Sequence, residues 1–228
     1  MQQRGVWRAV LPHAIANRLA GVALQNIPYG AIKKQLFGSK RLMRSFSRRL
    51  GYLHKSKEAV AIVKSWVGVG GLLADVAHLN ELGASMLQNV APVAPEDVLA
   101  ALERTLLTPG ATDAALECKK YLDLLRSLAY DAACFERSAT LMAVILTAEE
   151  LNEQARGTES FSSLFHLCLS GTQASVGQRL TVIQGLVDAP DSKRRTLGAY
   201  ALRSVLEAVH FMGRSRFEFG ARPRDYGY

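Results

Sequence analysis

From His13 to Met212, apolar residues recur at three-to-four spacing, and short stretches holding Gly, Pro, Ser or Thr interrupt them repeatedly. That spacing lines one face of a helix, and the interruptions end each helix before it grows long. A chain built this way is confined to helices packed side by side. Ala and Leu dominate and β-branched runs are few, which favours the same outcome. With 49% apolar and 21% charged residues in a chain of 228, a sizeable core can be buried.

The boundaries follow from local chemistry. Pro12 suits the first turn of a helix over His13–Leu24, and Tyr29–Leu36 forms a second that stops near Gly38. Ser39 caps a third helix reaching about Leu53. Gly68, Gly70 and Gly71 break the helix opening near Ser56, and helical signals resume through Leu72–Gln88. Pro95, followed by Glu96 and Asp97, opens a helix to about Leu107, ended by Thr108-Pro109-Gly110. Thr112-Asp113 caps a helix to about Ala129. Four more are expected at about Ala132–Glu149, Ser160–Leu169, Ser175–Val187 and Ser192–Met212. The last dozen residues turn aromatic and rich in Gly and Arg.

The expected fold class is therefore all-α. A basic trihelical head over residues 1–57 has the skeleton of a helix-turn-helix or winged-helix module, without a hairpin signal for a wing. Consecutive helix pairs over residues 58–228 suggest an α-α superhelix of HEAT or TPR type.

Charge divides the chain at the same place. Twelve Lys and Arg residues run from Arg4 to Lys57 before the first acid, Glu58. The remaining sixteen face all twenty acids, so a net charge of +8 hides a cationic head on an anionic body. On a helical wheel Leu42, Met43, Phe46, Leu50 and Leu53 share about one third of the circumference. Arg41, Arg44, Arg48 and Lys55 gather opposite, Lys40 and Arg49 flank them, and Tyr52 lies among them. Such a face can follow phosphates, meet an acidic protein surface, or stay solvated.

Catalytic signals are weak. Gly68–Gly71 lacks the Lys-Ser/Thr of a phosphate loop. His166 and Cys168, two apart, fall on different helix faces and are expected to be buried packing. Glu149, Glu150 and Glu153 read as a solvated helix end. The five histidines are dispersed. No catalytic, cofactor-binding or metal-ligating residue is expected. A hydrolase assembled only in three dimensions is the weakest competing reading. Cys118, Cys134 and Cys168 suggest no disulfide framework, which points to a reducing cytoplasm. The opening residues lack a signal-peptide core. The apolar stretch Ala139–Leu146 is far short of the ~20 residues that span a bilayer, so no membrane partner is expected.

Leu11–Ala20, Arg41–His54, Asn89–Pro95 and Phe219–Tyr226 resemble segments of large bacterial signalling NTPases of the STAND class. In that family a P-loop ATPase module precedes a winged-helix-like module and a helical-repeat sensor region. The resemblance implies a fragment following the ATPase, with no nucleotide site of its own. Its head would relay nucleotide state by docking on the missing ATPase domain. The function expected is thus a non-enzymatic regulatory or interaction module. The alternative is a nucleic-acid-binding protein using the basic helix.

Overall fold

A computed structural model describes residues 2–4, 7–9, 13–207 and 218–227. Helix dominates them, as the periodicity requires. A short antiparallel hairpin, which no sequence signal announced, pairs β1 (Gln2–Arg4) with β2 (Trp7–Ala9), Gln3 opposite Arg8. The helices are α1 (His13–Asn26), α2 (Tyr29–Leu36), α3 (Lys40–Leu50), α4 (Lys57–Val67), α5 (Glu81–Val90) and α6 (Pro95–Leu106). They continue with α7 (Thr112–Glu117), α8 (Leu122–Leu128), α9 (Ala132–Thr147), α10 (Arg156–Ser162), α11 (Val176–Val187) and α12 (Ser192–Leu206). The expected extension of α12 to Met212, and Phe217 in the tail, lie outside the described residues.

The chain forms two compact units. Unit 1 holds residues 1–74, 80–94 and 220–222, and unit 2 holds 75–79, 95–219 and 223–228. The division does not fall after residue 57, where the charge changes sign. The reason is Trp66 on α4, which belongs to the core of unit 1. Its indole N–H donates to Tyr29 Oη at 2.6 Å, and its ring lies 6.1 Å from that of Phe46. Burying a side chain of this size contributes several kcal/mol, roughly 3 to 5 by truncation, so α4 packs with the helices before it.

Within unit 1, α3 and α5 pack closely because small residues meet at the crossing. Ser47 is wholly buried, donates to the Arg44 carbonyl at 2.9 Å and accepts from Asn89 Nδ2 at 3.0 Å. A Cβ on Gly51 would stand 2.2 Å from the Asn89 carbonyl oxygen, so only glycine permits this approach.

Caps fix several helix starts as expected. Ser39 accepts from Leu42 N–H, Ser56 from Ala59 N–H, and Ser175 with Gln178 makes a capping box. Three expected spans differ. Helix does not resume at Leu72: after α4 the chain turns back, with Leu73 N–H bonded to the Trp66 carbonyl at 2.7 Å. A Cβ on Gly71 would meet the Ser65 and Trp66 carbonyls at 2.4 Å, and α5 begins only after Asn80 caps Gly83. The helix from Thr112 breaks into a 3-10 turn at Cys118–Tyr121, placing Tyr121 in the core with its hydroxyl on the Val76 carbonyl at 2.9 Å. The helix expected at Ser160–Leu169 instead runs from Arg156 to Ser162 and tightens into a 3-10 turn at Ser163–Phe165, where the Leu164 carbonyl accepts from Arg179.

Unit 2 is organised around α9, which packs against α6, α8, α10, α11 and α12. Its Phe135, Ala139 and Met142 are fully buried, and Phe135 and Phe161 both reach Phe165, at 5.9 and 5.0 Å. No described helix is long and apolar enough to cross a membrane.

Candidate contact surface

The cationic residues of α3 do not form one uniform face. Lys40, Arg41 and Arg48 are exposed, and Lys55 is exposed beyond the helix end. Arg44 is exposed but pairs with Glu81 of α5 at 3.1 Å. Arg49 is only half exposed, because its guanidinium donates to Asn17 Oδ1 on α1. No ion pair or hydrogen bond from the side chains of Lys40, Arg48 or Lys55 occurs among the described residues.

The apolar side of α3 is also rotated from the expected one. Met43, Ser47 and Leu50 are buried, whereas Leu42 is 38% exposed. Ser47 takes the central position because α5 approaches too closely for a larger residue. The wheel marks Ser47 as polar and cannot anticipate this.

Sequence reasoning missed a second feature of unit 1. Ile15, Leu19 and Val22 on α1 are each about half exposed, at 51, 53 and 50%. At 100° per residue they fall within about 60° of one another. Asn17, which holds α1 to α3, lies on the far side of the helix. The stripe therefore faces outward, with exposed Arg18 beside it. Because α1 is apolar around most of its circumference, periodicity alone cannot say which residues are left uncovered.

The stripe runs toward a groove where α1 gives way to α2 and α4 passes. Leu24, Ile27, Pro28, Tyr29, Ala61 and Ile62 line it, and it encloses about 500 Å³. Glu58, the first acid of the chain, sits on its wall. Its own backbone N–H and the Ser56 hydroxyl hold its carboxyl below the usual range. Half-exposed apolar side chains beside a groove form a surface suited to another apolar surface.

Elsewhere the expected site residues resolve into packing. His166 is buried with Nδ1 3.7 Å from Glu207 Oε2, but Cys168, expected to be buried with it, is exposed. The bend at Leu169, at φ 53°, carries the chain away from helix there. Glu150 pairs with Lys193 at 2.8 Å, and Glu149 and Glu153 pair with Lys119 and Arg203. Exposed pairs of this kind contribute ~0–1 kcal/mol each. Among the described residues no group of three or more His, Cys, Asp or Glu side chains is placed to hold a metal ion.

No family model, no curated protein and no solved structure matches the chain.

Proposed function

We propose that the protein is a non-enzymatic interaction module, and that unit 1 docks on a protein surface with an apolar centre and an acidic rim. The carrying observation is the outward stripe of Ile15, Leu19 and Val22 in a region otherwise dominated by cations. Apolar side chains half in water gain roughly 25 cal/mol per Å² on burial, and flanking cations steer an acidic partner. Nucleic-acid phosphates would use Lys40, Arg48 and Lys55 but leave the stripe and the groove uncovered. That favours protein over the alternative reading.

The partner proposed is the P-loop ATPase module of a bacterial, cytoplasmic STAND-class NTPase, with this chain as its regulatory region. Within that reading, α1–α3 supply the winged-helix-like module. The Ser39 cap and the closely packed α2–α3 turn support it. Unit 2 supplies the sensor in place of a HEAT or TPR superhelix. The contacts of α9 with helices on several sides support a body closed around one helix more than an open stack.

The test is calorimetric titration of the chain with such an ATPase module, beside a salt series with duplex DNA. Ile15→Asp with Leu19→Asp should weaken module binding by at least about tenfold, the fold-change of ~1.4 kcal/mol. Arg48→Glu should cost a few-fold. Unchanged module binding by the double variant would reject the reading. So would tight DNA binding that Arg48→Glu weakens while the apolar variants leave it intact.

A further inference from the structure

Unit 1 holds two unmatched halves of one contact. The first is the outward stripe of α1. Ile15, Leu19 and Val22 stand at positions i, i+4 and i+7, the spacing by which an amphipathic helix enters a groove. Arg18 lies at the edge of the stripe, about 40° from Val22 around the helix. It is exposed, and its side chain makes no ion pair or hydrogen bond among the described residues.

The second half is the groove of about 500 Å³ at the end of the same helix. Its floor is already formed, since Leu24 and Ile62 are buried there. Tyr29 is held at one side by the Trp66 indole, which donates to its hydroxyl. Pro28 sets the turn between α1 and α2, at φ −56° and ψ 134°. Ala61 and Ser65, one turn apart on α4, are small and exposed, which leaves room above the floor for the side chains of another helix. The Ser65 hydroxyl is turned to the Ile62 carbonyl at 2.7 Å and adds little polarity. A groove that needs no rearrangement loses little entropy when it is filled.

Glu58 supplies the charged side of the groove. Unit 1 holds two acids, Glu58 and Glu81, and Glu81 pairs with Arg44 at 3.1 Å. Glu58, in the first turn of α4, is half-buried and has no ion pair among the described residues. Its own N–H and the Ser56 hydroxyl, at 2.8 Å, favour the charged form of its carboxyl. A carboxylate kept charged on an apolar wall suits a cation that arrives with an apolar surface.

We propose that unit 1 pairs with a second copy of itself. The α1 stripe of each copy fills the groove of the other, and Arg18 of each meets Glu58 of the other. One chain carries both the apolar stripe and a groove for it, and the acid left without an ion pair matches the cation beside the stripe. The stripe occupies residues 15–22 and the groove opens at residues 24–29. Two antiparallel α1 helices crossing near Val22 therefore lay each stripe over the opposite groove. Both contacts form together, so the interface is isologous and closes at two copies.

The remaining cations of the two heads repel one another, which gives the affinity a characteristic sign. Salt screens that repulsion, and the dimer should tighten between about 0.05 M and about 0.5 M salt. Docking on an acidic rim, or on phosphates, weakens over the same range. The dimer covers the stripe proposed above to meet an ATPase module, so the two states exclude each other. It does not rest on that reading.

The test is sedimentation equilibrium of the full chain alone, from low micromolar to submillimolar concentration. A reversible monomer–dimer equilibrium is expected. Arg18→Glu and Glu58→Arg each set two like-charge contacts in the dimer and should raise its dissociation constant at least about fivefold. The combined Arg18→Glu, Glu58→Arg chain exchanges the signs and should return to within about threefold of the wild type. Ile15→Asp with Leu19→Asp should leave monomer only. A wild-type chain that stays monomeric overturns the proposal, and one that pairs only when an ATPase module is added assigns the groove to that module instead. Association beyond two copies, loss of the dimer at high salt, or a combined variant no tighter than its singles overturns it as well. A monomeric chain would leave the docking reading standing, and failure of the module to bind would leave the dimer standing.

Discussion

Units 1 and 2 differ in how deeply they bury arginine. In unit 1 the arginines of α3 lie at or near the surface: Arg48 is exposed, Arg44 makes a solvated pair with Glu81, and Arg49 is half exposed with its guanidinium on Asn17. In unit 2, whose sequence is the more acidic part, Arg179 is buried completely and bonds only neutral oxygens. A cationic stretch of sequence therefore marks where charge is displayed. The arginine that is buried completely sits in the stretch that composition marks as acidic.

The largest effect that would break this comparison is at Arg179. Arg179→Leu removes the guanidinium donors from Ser170 Oγ, Thr172 Oγ1 and the Leu164 and Ala174 carbonyls while keeping apolar bulk, and leaves the two hydroxyls with each other and the Thr172 amide. Unsatisfied buried acceptors cost ~1–3 kcal/mol each, and loss of the set should destabilise unit 2 by roughly 3–5 kcal/mol. Urea unfolding followed by far-ultraviolet circular dichroism measures it. Trp66 lies in the core of unit 1, so its fluorescence follows that unit. A loss under about 1 kcal/mol would mean that water replaces the guanidinium, and the contrast between units would fail.

A second test concerns a cation-facing group in unit 1. Burial first, then the charges of Arg222 and Lys55, lower the pKa of His54 from 6.5. The folded state therefore disfavours imidazolium more than the unfolded state does. The stability contributed by neutral His54 is present above pH 6.5 and is lost as pH falls below it toward the lowered value. Tryptophan-detected unfolding midpoints at about pH 7.5 and about pH 5.5 should diverge more in the wild type than in His54→Gln. Equal divergence would show that the head tolerates one more positive charge at that position.

The smallest effect is expected where charge is most conspicuous. Arg44→Ala should change stability by only ~0.2–1 kcal/mol, because its pair with Glu81 is solvated on both sides. A loss near that of Arg179→Leu would erase the distinction between displayed and structural arginines.

Local signals made much of the fold legible. Ser39, Ser56 and Ser175 cap where their side chains demand, and the Gly68–Gly71 cluster ends α4 as a run of glycines must. Two of the three misplaced spans share one cause. Tyr121 and Leu164 lie in 3-10 turns rather than α-helix and meet partners distant in sequence, Val76 and Arg179, of which local periodicity carries no trace. The contact surface was half legible. The cations of α3 stood out, but the exposure of Ile15, Leu19 and Val22 depends on what fails to cover an apolar helix. The groove was not legible, because Leu24 and Ile62 come to line one cavity only when α4 passes the end of α1.

The sequence by itself determined the helical class, most helix starts and the sign of charge along the chain, since these follow from backbone propensity, capping and simple composition. Only the tertiary structure decided that Trp66 draws α4 into the basic unit, that Ser47 and Gly51 let α3 and α5 approach closely, and that Glu58 stands on the wall of an apolar groove. These depend on contacts between residues far apart in the chain, where packing density and hydrogen-bond satisfaction outweigh the preference of any single segment.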